Sequence, residues 1–165
     1  MKYHSSLLED WIKNFYYSLD IYHPHQLDFL DIAARLGMVV TFKNITSCYF
    51  EQDIIIDERL TSQEQWQEFA HELCHILRHE GNQIYMPKQF LELQENQANY
   101  FAYHFCIPTF MLLKLDMPNH RNQEIYYLAN TFNVTNEFAA QRFDRYQNQI
   151  YTSQLIAENS KMYTY

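Results

Sequence analysis

The chain has 165 residues and only two glycines, Gly37 and Gly81, where an average composition would supply about 7%. Phosphate-cradling and dinucleotide-binding loops need two or three glycines within a few residues, because only glycine lets the backbone close on an anion, so P-loops, kinase-type loops and Rossmann fingerprints are excluded. Twelve Lys and Arg against twenty Asp and Glu leave a net charge of -8, a field that repels phosphate backbones and anionic lipid.

A chain that is 47% hydrophobic and 17% aromatic can bury a substantial core, as one compact domain or one domain with a small appendage. Cys48, Cys74 and Cys106 are odd in number, far apart and without C-x-x-C spacing, which fits a reducing compartment better than a disulfide scaffold. The amino-terminal stretch carries Glu9 and Asp10 and no apolar run of signal-peptide length, and no run of about 18 apolar residues occurs anywhere. A cytoplasmic protein without membrane association is expected.

Leu7, Leu8, Trp11, Ile12, Phe15 and Leu19 recur at helical spacing and predict a first amphipathic helix. A second helix is expected from Pro24 through Leu27, Leu30 and Ala34 to Leu36, closed by Gly37. Three short β-rich pieces follow, Met38 to Phe42, Cys48 to Phe50 and Asp53 to Asp57, expected to form a small meander. Thr61-x-x-Glu64 reads as a capping box opening a long helix with Trp66, Phe69, Leu73, Ile76 and Leu77 on its apolar face and Gly81 at its end. Pro87 starts another helix, which must stop before Ile107-Pro108 because a residue preceding proline resists helical geometry. A short helix from Pro108 to Leu115, a separate helical unit after Met117-Pro118-Asn119, and a polar tail from Asn148 complete the chain.

The long helix contains His71-Glu72-Leu73-Cys74-His75, an H-E-x-x-H pattern. At about 100° and 1.5 Å per residue, its two histidines stand about 40° apart around the axis and about 6 Å apart along it, so both imidazoles can reach one ion. They lie away from the apolar face, and Glu72 beside them can accept a proton from a zinc-bound water. Shuffling this composition reproduces the pattern in roughly 3 of 100 trials, so ordinary surface histidines remain an alternative until a third ligand is found. Glu95 offers one, on a helical stripe with Leu91, Ala98, Asn99 and Ala102. Its small alanines would let two helices approach, and Asn99, one turn on, is placed to hydrogen-bond a ligand. The bland alternative for Glu95 is a solvated helix carboxylate.

Taken together, Asp31-Ile32-Ala33-Ala34-Arg35-Leu36-Gly37, Ile54-Ile55-Ile56-Asp57, His71-Glu72-Leu73-Cys74-His75, Glu95-x-x-Ala98-Asn99-x-Phe101-Ala102 and Ile107-Pro108 resemble the ImmA/IrrE family of metallopeptidases. The resemblance covers roughly residues 25 to 118. It implies a gluzincin-like zinc protease that cleaves helix-turn-helix repressors of phages or integrative elements, with His71, His75 and Glu95 binding one zinc ion and Glu72 as general base. The family commonly has glycine where this chain has Cys74, a departure that touches no ligand.

Five further features have readings of their own. His79 could be a ligand or a substrate-binding group, or a helix C-terminal histidine favoured by the dipole. His23-Pro24-His25 reads as a helix start, His104 as packed or functional, and Cys74 as a small buried residue instead of a nucleophile. Leu128-Ala129-x-x-Phe132-Asn133-Val134-Thr135 with Ala139, Ala140, Arg142 and Phe143 looks like a helix-turn-helix. Its second helix sets Glu137 and Asp144 against Arg142 and Arg145, so packing, or docking of a repressor, is favoured over direct nucleic-acid binding.

The expected fold class is α+β: a zincin-like (gluzincin) domain over residues 1–118 with a three-stranded sheet, then a helix-turn-helix-like unit and tail over 119–165. The expected function is a zinc endopeptidase whose substrate is a helix-turn-helix repressor. The alternatives are a non-catalytic metal-containing regulator that sequesters a repressor, and a DNA-binding regulator using the carboxy-terminal unit.

Overall fold

The computed structural model describes residues 3–79 and 87–162, with side chains through residue 155; the expected helix stop at Gly81 lies outside the described residues. Helix α1 (Leu7–Ser18) opens on a capping box in which the Ser6 hydroxyl accepts from the Glu9 N–H and the Glu9 carboxylate accepts from the Ser6 N–H. It buries Ile12 and Tyr16, and Tyr16 donates to the Phe105 carbonyl at 2.8 Å. Leu7, expected on the apolar face, is 90% exposed because it sits at the first helical position.

The predicted helix from Pro24 to Leu36 is two pieces, a single 3₁₀ turn at Pro24–Gln26 and α2 at Phe29–Arg35. Asp28 separates them: its carboxylate accepts from the Leu30 and Asp31 N–H groups, which nucleates a new helix start. Gly37 then takes φ +72°, the left-handed closure expected of it.

Strands β1 (Val40–Lys43), β2 (Cys48–Phe50) and β3 (Asp53–Asp57) form a mixed sheet of order β1-β3-β2. The expected meander is therefore corrected. The third strand lies in the middle, parallel to the first with Val40 opposite Ile54 and antiparallel to the second with Tyr49 opposite Ile54. Burial selects this order: Ile54 and Ile56 are fully buried, and an isoleucine run is suited to a covered central strand, while Glu51 at φ +56° turns the tight β2–β3 connection.

Helix α3 (Ser62–Arg78) has the predicted capping box, with Thr61 and Glu64 exchanging bonds. It buries Trp66, Phe69 and Leu73 and packs on the sheet and on α4 (Lys88–Cys106). Its Leu77, expected on the apolar face, is exposed near the helix end. Pro87 is the cap preceding α4, and Ile107 ends it before Pro108. Ala98 and Ala102 are buried on α4, as a close approach of α3 requires. The short α5 (Thr109–Leu112) follows.

Helix α6 (Arg121–Phe132) ends at Asn133 with φ +51°. The Thr135 hydroxyl then accepts from the Phe138 N–H to start α7 (Asn136–Met162). Where a polar tail was expected from Asn148, α7 continues: the segment has no glycine or proline to break it, and the Gln149 amide reaches Glu9 at 3.0 Å. Among the described residues no helix is long and apolar enough to cross a membrane.

One hydrophobic cluster runs from Ile12 and Tyr16 through Phe69, Leu73, Phe101 and Phe105 to Leu128, Phe132, Val134 and Phe143. Inside it lies an ionic cluster. Arg142 of α7 is fully buried; its Nη2 donates to Thr109 Oγ1 at 2.6 Å, its Nε donates to the Ile107 carbonyl at 3.2 Å, and Nη2 stands 3.9 Å from Glu9. Thr109 in turn donates to Glu9 at 2.5 Å, and Tyr3 donates to Glu9 at 2.7 Å. This cluster ties α1, α5 and α7 together.

Candidate metal centre

Two turns of α3 and one position of α4 converge on one point. His71 Nε2 lies 3.1 Å from His75 Nε2 and 3.1 Å from Glu95 Oε2, and His75 Nε2 lies 3.5 Å from Glu95 Oε1. One donor atom from each of the three residues falls within 4.8 Å of the other two. His75 is buried, His71 and Glu95 partly so. Two imidazole nitrogens at this separation must share either a proton or a cation. Zinc bonds of about 2.0–2.1 Å in a tetrahedron place neighbouring ligand nitrogens about 3.3 Å apart, close to the observed spacing. Two nitrogens and one carboxylate oxygen also match the donor set of an open catalytic zinc site, so the residues fit the metal.

The proton positions agree with that fit. Asn99 Oδ1 lies 3.2 Å from His71 Nδ1. A carboxamide oxygen only accepts, so Nδ1 carries the hydrogen and Nε2 presents its lone pair to Glu95 and His75. Burial first, then the neighbouring His71 and His79, push the His75 imidazole down to about 4, which keeps it neutral and able to ligate at neutral pH.

Glu72 is 7% exposed. Burial, and then repulsion from Glu68 and Glu95, raise its carboxyl to about 7, the range in which a group can both take and return a proton. Cys74 is buried and its thiol is pushed up to about 12, which makes it a packing residue instead of a nucleophile. All three cysteines are free thiols.

His79 does not join the triad. Its Nδ1 lies 2.9 Å from His75 Nδ1, on the side of the ring away from the meeting point, and its Nε2 lies 3.2 Å from Gln97 Oε1. His104 is packed: it is 1% exposed, its Nδ1 lies 2.9 Å from the Tyr100 carbonyl, and burial and then Arg142 lower its pKa to about 4.

Sequence reasoning missed Tyr49. Its ring lies parallel to His75, 5.4 Å between centroids and 9° between planes. Burial, then the Glu72 and Glu95 charges, raise its phenol, so β2 brings an aromatic side chain to the rim of the metal cluster. The only local signal was an aromatic residue at the middle of a three-residue strand.

The family model for peptidase M78, the IrrE N-terminal-like domain, matches residues 25–144. The phage-like element PBSX protein XkdA of Bacillus subtilis (strain 168) is 45% identical over 146 residues, covering 86% of this chain and 74% of that protein. The uncharacterized protein YqaB of the same strain is 41% identical over 154 residues, covering 91% of this chain and 90% of its own length.

Proposed function

Because the chain belongs to the peptidase M78 (IrrE N-terminal-like) family, we propose that it is a zinc-dependent endopeptidase that cleaves a helix-turn-helix transcriptional repressor and so relieves repression of a phage or mobile element. The observation that carries the reading is the convergence of His71, His75 and Glu95 beside the buried Glu72. Similarity to a phage-element protein supports the biological setting. Residues 1–118 would form the zincin-like catalytic unit and residues 119–165 the helix-turn-helix-like unit.

His71, His75 and Glu95 hold the metal, one ion per chain. Bound there, zinc supplies polarisation of the scissile carbonyl and acidification of a coordinated water. Glu72 takes the proton of the attacking water and returns it to the leaving amine, for which a carboxyl near pKa 7 is suited. The Asn99 oxygen on His71 Nδ1 would keep that ligand's lone pair aimed at the ion.

Direct DNA reading by the carboxy-terminal unit is disfavoured by what its arginines already do. Arg121 pairs with Asp144 at 2.6 Å, Arg142 is buried on Glu9 and Thr109, and Arg145 lies over the Tyr100 and Tyr103 rings. The deciding experiment is incubation of the zinc-loaded protein with any helix-turn-helix repressor found encoded beside it, reading fragments by mass. Derepression with the repressor still full length would point to sequestration instead of cleavage.

A further inference from the structure

Gln97, on α4, accepts a hydrogen bond from His79, and this contact has a consequence for the metal site. Its Oε1 lies 3.2 Å from His79 Nε2, and an amide oxygen can only accept. His79 Nε2 therefore carries the ring hydrogen, and in the neutral ring Nδ1 is a bare lone pair. That lone pair lies 2.9 Å from His75 Nδ1, so His75 Nδ1 must be the donor. With its hydrogen on Nδ1, His75 presents a bare Nε2 to the point shared with His71 and Glu95. The opposite tautomer of either ring would set two lone pairs, or two hydrogens, against each other.

We infer that His79 is a positioning residue: a Gln97–His79–His75 relay fixes the tautomer and ring plane of His75 for metal binding. It is the counterpart, on the second histidine, of the Asn99 contact to His71. Both outer partners are neutral acceptors, so neither adds negative charge to a site already carrying Glu95 and Glu72. His79 also stands at the C-cap of α3, where the chain leaves the helix, and its ring packs against His75 at 4.9 Å and 65°. The contact with Gln97 thus runs from the end of α3 to the exposed side of α4, beside the three converging residues. The inference rests on the zinc reading above.

The test measures zinc affinity by chelator competition on the full chain, together with two-bond ¹H–¹⁵N spectra of the imidazoles. His79→Leu should weaken zinc binding roughly 10–100-fold, the usual cost of losing such a partner, while metal-free thermal stability holds. His79→Asn, whose Oδ1 can take the place of Nδ1, should recover most of the affinity. Gln97→Leu should weaken binding less, and Gln97→Glu, which still accepts, should not. In the zinc-loaded wild type, His75 should carry its hydrogen on Nδ1 and His79 on Nε2. Unchanged affinity in His79→Leu, or the reverse tautomer at His79, overturns the relay and leaves the zinc site standing. If His79→Leu fails to fold, Gln97→Leu and the wild-type spectra decide the question. A wild-type chain that binds no zinc overturns the proposed function itself.

Discussion

Glu9 and Glu72 are both buried carboxylates on helices, yet their surroundings drive them in opposite directions. Burial alone would raise Glu9, but the Ser6 N–H, the Thr109 and Tyr3 hydroxyls and the Gln149 amide outweigh it and hold the group at about 2. A cation, Arg142, lies 3.9 Å away. Glu72 has burial in common with Glu9, but its charged neighbours are Glu68 and Glu95, and it rises to about 7. The first cluster contains its own counter-charge and can serve as structure. In the second, the charges acting on Glu72 are the carboxylates Glu68 and Glu95, beside the lone pairs of His71 and His75, an arrangement that costs stability and that a bound metal would relieve.

The same isosteric change should therefore give opposite results in the two regions. The largest effect is on chemistry: Glu72→Gln should cut repressor cleavage at least 100-fold while metal analysis still finds one zinc per chain. Cleavage at the wild-type rate would remove Glu72 from the mechanism. Next in size, Glu9→Gln should lower unfolding free energy by about 3–5 kcal/mol, because Arg142 is left buried without its partner. In the metal-free protein at pH 8, Glu72→Gln should instead stabilise by about 1 kcal/mol through relief of burial and repulsion. Paired urea titrations read both signs, and equal signs would break the contrast.

The pH dependence sharpens the contrast further. His104 is depressed to about 4, so the unfolded chain binds its proton first and stability falls as pH drops from about 6.5 through 4. The groups acting on it are Arg142 and Arg145 of α7, Glu9 of α1 and the Tyr100 carbonyl, the last at 2.9 Å. Glu9 is also depressed, so its contribution is present above about 4.5 and is lost as pH falls through about 2. Urea midpoints should fall between pH 7 and 5 through His104 alone and between pH 5 and 3 through both groups, and Glu9→Gln should shrink only the second fall. The smallest expected change is at Asn99: Asn99→Leu should weaken zinc binding about 10-fold with little change in metal-free stability, since Asn99 is exposed.

The two histidines of the candidate metal cluster were legible because their spacing is local. His71 and His75 share a face by helical spacing alone, and the Thr61–Glu64 box sets where that helix starts. Glu95 and Asn99 were legible through the small residues beside them, Ala98 and Ala102, which mark a close helix approach. Tyr49 and Gln97 were not, because each depends on where a second element lies. Arg142 reads in the sequence as part of a charge-balanced helix, and only packing against Glu9 and Thr109 makes it one of the largest fully buried side chains among the described residues. The Asp28 cap was a local signal that the prediction of one helix from Pro24 overran.

By itself, the sequence determined the periodicities, the caps, the helix stop at Ile107-Pro108, the left-handed closure at Gly37 and the pairing of two histidines with a glutamate on one helix. These follow from interactions within about four residues, whose geometry the helix repeat dictates. The tertiary structure decided the strand order, the stacking of Tyr49 on His75, the relay through His79 to Gln97, and the burial of Glu9 with Arg142. Those are contacts between elements distant in the chain, where long-range packing decides which polar groups meet a partner and which are left to bind one.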